Sequence, residues 1–313
     1  MRNFHNILLV IEPETDNDAA IGRAFELATS NGASLSLISV IEEASIFKRA
    51  APSLVQTLVD ERTTELQTIA ARWAGSASVH VAVGRTFLEV IRYVLQHGHD
   101  LVIKSRASGH GRLRSLGATD MHVLRKCPCP VWVVRSEHGG PIRRILAAID
   151  VGPESEEAKA LARRVLEIAT SLAGDEEGQL DVLHAWSLDY EDTLRSPRSG
   201  VPQSEVDRMM ANEEQLRTQK LRSLADDVVS IARPGSEGVR SQPCLLIEKG
   251  HPSDIIPELV RQSDIELVVM GTVGRTGVPG FFIGNTAEEV LSQIDCSVLA
   301  IKPPGFRSPV TIS

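Results

Sequence analysis

The chain has 313 residues and a net charge of −8, which is room for about two average domains. Apolar residues make up 42% and charged residues 24%, the balance of a folded globular protein rather than a disordered or fibrous one. That charge gives no general pull toward nucleic-acid phosphates or anionic lipid, and no apolar run reaches the roughly 18–20 residues that cross a bilayer. Met1–Val10 lacks the anatomy of a signal peptide, so a cytoplasmic protein with neither nucleic-acid nor membrane partners is expected.

Short β-branched runs alternate with helical stretches, the pattern of a parallel α/β sheet. Asn6–Ile11 is apolar almost throughout, as a strand covered on both faces must be. Asp16–Ser30 follows with helical spacing and an Asp/Asn-rich start suited to capping. Strands are then predicted at Ser34–Ile41, Val79–Val83, Leu101–Lys104 and Val131–Val134, with helices over Ser53–Trp73, Phe87–Gln96 and Ala118–Lys126. A polar stretch, SEHGGP at 136–141, separates this set from a second. The second set opens with a strand at Ile145–Ile149 and a long helix at Glu154–Leu172. It continues with strands at Asp181–Ala185, Cys244–Ile247, Leu267–Met270 and Val298–Ile301.

The two sets are one pattern repeated. Asn6–Leu8 matches Arg144–Leu146, Glu12 matches Asp150, and Val83–Thr86 matches Lys249–Pro252. Asp100–Ile103 matches Glu266–Val269, Gly117–Thr119 matches Gly284–Thr286, and Cys129–Val131 matches Cys296–Val298. Two homologous domains follow, 1–137 and 141–313. They differ most over Ser187–Gly238, where a loop and a long amphipathic helix carry Met209, Met210, Leu216, Leu221, Leu224 and Val228. A core-facing stripe explains that spacing. A flap of soft methionines over a ligand is the competing reading.

The most informative segment is Val269–Thr286, VMGTVGRTGVPGFFIGNT. A buried strand runs into Gly271 and Gly274, and nine residues later Gly284-Asn285-Thr286 opens a helix. Glycines let backbone amides approach phosphate oxygens, and a helix start aims its free N–H groups at an anion. In an open parallel sheet such a loop meets the carboxyl end of the first strand, here Asp150, where the strand order reverses.

These residues resemble the nucleotide-binding universal stress proteins, which show Gly-x-x-Gly, nine residues, then Gly with Ser or Thr. The same family shows an Asp after the first strand and Gly-x-Pro after the third, here Gly250-His251-Pro252. The resemblance covers the whole chain and looks most like the E-type tandem members, given GTVGRTG…GNTAE and KCPCPVW. It implies two Rossmann-like domains, each a five-stranded parallel sheet of order 3-2-1-4-5, with ATP or a related adenine nucleotide in the second. Asp150 would then meet ribose or phosphate, and Ala185 would meet adenine through its backbone. Gly271, Gly274, Gly284, Asn285 and Thr286 would hold ribose and phosphates, with Ile149, Met270, Gly250, His251 and Arg275 completing the surroundings. Asn285 departs from the family pattern, which places a small hydroxyl residue there; Thr286 can supply the hydroxyl instead. The family also implies pairing through the last strands, within the chain or in a homodimer.

The first half departs further. Ser105 and Ser108 stand for Gly271 and Gly274, Glu12 stands for Asp150, and the loop carries Arg106, His110, Arg112 and Arg114. Either this is a degenerate site kept as scaffold, or its arginines take a different anion. Cys127-Pro128-Cys129-Pro130 with His122 suggests a metal, but the four-ligand cage of zinc is missing and Cys129 aligns with the core position Cys296. No metal is expected. His184 reads as a core histidine and His251 as a loop histidine without a nucleophile beside it. With no Walker sequence, no Gly-x-Ser-x-Gly and no evident general base, the expectation is a stress-response regulator or chaperone-like factor. Slow ATP hydrolysis, a nucleotidyl-transfer or hydrolase activity, and a larger amphiphilic or nucleotide-linked ligand beneath the 187–238 insertion are the alternatives.

Overall fold

In a computed structural model the chain builds one ten-stranded sheet. The structure describes residues 3–42, 52–106, 116–137, 139–188, 190–232, 242–272 and 284–312. In the first half β1 (Asn6–Val10), β2 (Ser34–Glu42), β3 (Ala77–Gly84), β4 (Leu101–Ser105) and β5 (Val131–Val134) alternate with four helices. These are α1 (Asp18–Asn31), α2 (Pro52–Ala70), α3 (Thr86–His97) and α4 (Ala118–Lys126). The second half repeats the order with β6 (Arg144–Ala148), β7 (Gln179–Trp186), β8 (Cys244–Lys249), β9 (Leu267–Gly271) and β10 (Ser297–Ile301). Its helices are α5 (Glu156–Asp175), a short α6 (Glu191–Arg195), the long α7 (Gln203–Ala232), α8 (Pro252–Gln262) and α9 (Asn285–Gln293).

The sheet order is β3-β2-β1-β4-β5-β10-β9-β6-β7-β8. Each half therefore runs third, second, first, fourth, fifth, and every pairing within a half is parallel. The halves meet where β5 and β10 pair antiparallel, Val298 opposite Val133 and Leu299 opposite Trp132. A strand meeting its own counterpart in this way is what a two-fold relation between two copies produces. Both strand edges that the sequence left open are thereby used inside the chain.

Parallel strands with helices on both faces must be apolar on both sides, and β1 and β4 are buried along nearly their whole length. One core lies under α1, α2, α5 and α7, the other under α3, α4, α8 and α9, and each runs through both halves without a break. Polar clamps reinforce the joint. Arg23 on α1 pairs with Glu176 at the end of α5, donates to Gly140 O at 2.9 Å, and lies 5.5 Å from the Trp132 ring. Among the described residues no helix is long and apolar enough to cross a membrane.

Predicted and observed elements agree in kind, with ends shifted by up to a few residues. The 187–238 region holds α6, a single 3-10 turn and α7, whose Val206, Met210, Leu221, Ala225 and Val228 are buried. Met209 and Leu216, expected in the core-facing stripe, are exposed, so only Met210, Leu221, Leu224 and Val228 of it face the core, and the two methionines point to different sides of the helix.

Candidate functional site

The chain leaves β6 in one direction for β7 and returns on the other side to β9, so the order reverses between β6 and β9. Helix dipoles and strand ends converge at such a point. Met270 pairs with Ala148, and Gly271 follows it, so the ends of β6 and β9 lie side by side with Ala185 on the neighbouring β7. The residues expected at the site thus share one carboxyl edge. Gly274 and Arg275 lie outside the described residues.

Asp150 is half-exposed, and its Oδ1 accepts the Gly152 amide at 2.9 Å, an Asx turn that holds the carboxylate at the mouth of the edge. Ile149 is buried and its carbonyl faces the His184 ring, with Nδ1 at 3.1 Å. Met270 is buried, whereas Ala185 is half-buried on the same side of the sheet. Gly250 ends β8 at φ 154°, where a side chain would also strike Ile255 at 2.9 Å. His251 is exposed and caps α8, its Nδ1 2.7 Å from Ser253 Oγ. Gly271 also packs closely on α5, since a Cβ there would lie 2.7 Å from Leu161 Cδ2 and push that side chain aside.

Gly284 is the N-cap of α9 and makes no side-chain cap. Its amide donates to Thr272 O at 2.8 Å, joining the two ends of the glycine loop. Asn285 is exposed and Thr286 half-buried in the first turn. The first-turn amides of this helix thus take no bond from a capping side chain, and the positive end of the dipole lies there.

The equivalent place in the first half is already filled. Lys104 on β4 stands where Met270 stands on β9, and Asp120 in α4 stands where Ala287 stands in α9. The Lys104 ammonium is fully buried, pairs with Asp120, donates to Glu12 Oε2 at 3.2 Å and to Ser105 O at 2.8 Å. Asp120 also accepts the Gly117 amide at 3.2 Å, capping its own helix. Burial pushes the Glu12 carboxyl up despite Lys104. Burial opposes the charge on Lys104 as well, but Asp120 and Glu12 outweigh it and hold its pKa above the usual lysine value. Glu12 thus turns inward as an ion-pair partner, while Asp150 stays at the surface. The arginines Arg112 and Arg114, with Ser108 and His110, lie outside the described residues. Arg106 turns away, its guanidinium reaching Ile294 O at 3.2 Å across the joint.

The sequence reading missed Arg217. It rises from α7, stacks 5.2 Å from the Trp186 ring, pairs with Glu213 at 2.7 Å and reaches His184 Nε2 at 3.3 Å. An arginine only donates, so Nε2 must accept and the ring proton must sit on Nδ1, donating to Ile149 O. The Val151 amide, 3.4 Å from the same nitrogen, then adds no bond. In the first half Ser39 does the same work, its Oγ donating to Ile11 O at 2.8 Å. Gly152 leaves the room: a Cβ there would lie 2.6 Å from an Arg217 nitrogen. His184 is accordingly a buried structural group, and the signal for Arg217 was only that one arginine sits on the apolar stripe's flank. Among the described residues no group of three His, Cys, Asp or Glu could hold a metal, and His122 stacks on Phe87 at 4.5 Å.

Residues 3–135 and 141–302 each match the Universal stress protein family. Universal stress protein E of Escherichia coli strain K12 is 30% identical over 325 residues, covering 100% of this chain and 98% of the relative. A Haemophilus influenzae homolog of that protein is 28% identical over 96% of this chain and 98% of its own length. A functionally unknown protein from Pseudomonas aeruginosa PAO1 has a similar structure, with TM-score 0.69 and 26% identity over 96% of this chain and 94% of that one. A universal stress protein from Archaeoglobus fulgidus shares the fold, at TM-score 0.64 and 18% identity over 95% of this chain and 98% of that one. With both halves matched and a full-length relative at that identity, the chain belongs to the Universal stress protein family as a tandem member.

Proposed function

We propose that the second half binds ATP or a related adenine nucleotide at the carboxyl edge of β6, β7 and β9, as a cytoplasmic stress-response regulator or chaperone-like factor, and that the first half is scaffold. The supporting observation is the contrast between the two α-helix starts. The first turn of α9 carries no capping side chain and half-exposed Asp150 follows β6 on the same sheet edge, whereas α4 has Asp120, Lys104 and Glu12 in the same place. A nucleotide's phosphates would take the amides after Gly284, with Gly271, Gly274, Arg275, Asn285 and Thr286 around them. Asp150 would take the ribose, and the Ala185 backbone the base, with Ile149, Met270, Gly250 and His251 lining the site.

Calorimetric titration of ATP into wild type and Gly284→Asp tests this. The new carboxylate would stand where phosphate is to sit, so binding should weaken at least tenfold while the unfolding curve stays in place. Superimposable titrations would remove the site. Steady ATP turnover that disappears in Asp150→Ala would instead make the second half a hydrolase or nucleotidyl transferase. A large amphiphile beneath the insertion is less well supported, because Trp186, Val206 and Met210 are buried against one another there. A homodimer would have to use a surface other than β5 and β10, which are paired with each other.

A further inference from the structure

We propose that Cys127 and Cys129 are a dithiol–disulfide couple at the joint between the halves, with hydrogen peroxide, a small peroxide oxidant, as the electron acceptor. The dithiol chemistry does not depend on the nucleotide reading, although Lys302 beside the pair also bonds Thr272 at the base of the glycine loop. The chain leaves α4 at Cys127, whose amide still bonds Val123 O at 2.9 Å, and turns extended at φ −65°, ψ 133°. Pro128 then fixes its own φ and brings Cys129 back at the start of β5. The two sulfurs lie 3.5 Å apart, as free thiols. A disulfide needs about 2.05 Å, so closure asks for about 1.5 Å of approach between side chains already facing each other.

Packing alone does not call for this pair. The second half fills the position of Cys127 with Ile294, so Cys296, the counterpart of Cys129, has no cysteine two residues before it. Burial pushes the Cys296 thiol up to about 12, the state of an inert core cysteine. At 127 burial acts the same way, but hydrogen bonding with Cys129 and the Lys302 ammonium hold it below the ordinary thiol value. Lys302 is fixed in place. Its Nζ bonds Leu124 O, Thr272 Oγ1 at 2.8 Å and Arg125 O at 3.4 Å, at the very turn of α4 from which Cys127 departs.

The chemistry balances in two steps. The Cys127 thiolate attacks a peroxide oxygen, the O–O bond breaks, and after protonation one water leaves with a sulfenic acid on Cys127. The Cys129 sulfur then attacks the Cys127 sulfur, the S–O bond breaks, and the oxygen departs as the second water with the Cys129 proton. Two thiols are oxidised by two electrons and one peroxide is reduced. Burial restricts this to a small oxidant, since Cys127 is fully buried and Cys129 is 7% exposed.

The full-length protein is treated with hydrogen peroxide, alkylated and digested with trypsin. Cleavage after Lys126 and Arg135 releases both cysteines in one peptide, Cys127–Arg135. The expected product is that peptide short of two hydrogens, recovered in full by dithiothreitol. In Cys129→Ser the closure is lost and a dimedone adduct appears on Cys127. A 127–135 peptide that stays fully reduced while exposed Cys244 oxidises would overturn the proposal. So would stepwise gain of oxygen in wild type without loss of the two hydrogens.

Discussion

Replacing Lys104 by methionine, the residue at the same place in the second half, exposes how the first half is closed. Lys104 and Asp120 are both fully buried and Glu12 is 14% exposed, so the substitution strands two carboxylates with no cation between them. Removing one partner of a buried ion pair costs about 3–5 kcal/mol, far more than the pair is worth against an apolar replacement. For domains of this size that is a fall in Tm of roughly 10 °C. The triple change Glu12→Asp, Lys104→Met, Asp120→Ala installs the second half's trio and removes the stranded charge. It should recover most of the loss, less about 1 kcal/mol for the cap that Asp120 gives Gly117. Thermal unfolding at pH 7, followed by circular dichroism, reads all three proteins. The Lys104→Met deficit should also shrink in acid, because the Glu12 carboxyl, which burial already pushes up, takes up a proton as the pH falls through its raised folded pKa. A single Lys104→Met protein that melts within about 2 °C of wild type would refute the reasoning.

Acid should weaken the fold through His99. It is buried beside Tyr93 and His97, and burial, then the neighbouring His97, lowers its pKa from 6.5 to about 4. The unfolded chain protonates first, so this contribution is complete above about pH 6.5 and drains away as the pH falls toward about 4. His99→Phe should flatten that part of the stability profile; an unchanged slope would clear His99 of it. Two glycines near the end of α5 should respond with opposite sign. A Cβ on Gly178 would meet the Ile142 carbonyl at 2.6 Å, backbone that cannot swing aside, so Gly178→Ala should cost about 1–3 kcal/mol. Gly174 has open space and lies within the helix, so Gly174→Ala should gain about 0.5–1 kcal/mol. Arg217→Ala should cost about 1–3 kcal/mol in chemical denaturation, because it uncovers Trp186 and leaves His184 Nε2 without its donor.

The fold was legible because its signals are local and repeated. Continuous apolar runs such as NILLV and LVVM can only be strands covered twice, and the same punctuation recurs in both halves. The joint was not legible, since Val131–Val134 and Ser297–Ile301 look alike whether they pair within one chain or between two. In the second half the motif was legible as placement: Asp150, Gly271 and Gly284 come to one edge of the sheet. What the motif hid is that Gly271 already answers to Leu161. The first-half plug was readable in principle, for LVIKS carries a lysine inside an apolar strand run and aligns it with Met270. A buried lysine needs partners, and Glu12 and Asp120 were the acidic residues at aligned positions. Arg217 carried no such signal, because helical spacing does not say which of several arginines on α7 turns inward.

The stoichiometry of ATP on the full-length chain tests the central claim of unequal halves most directly. Equilibrium dialysis should give one nucleotide per chain, with Asp150→Ala weakening that site and Glu12→Ala leaving nucleotide affinity unchanged. Two nucleotides per chain, or one that survives Asp150→Ala and is lost with Glu12→Ala, would contradict it.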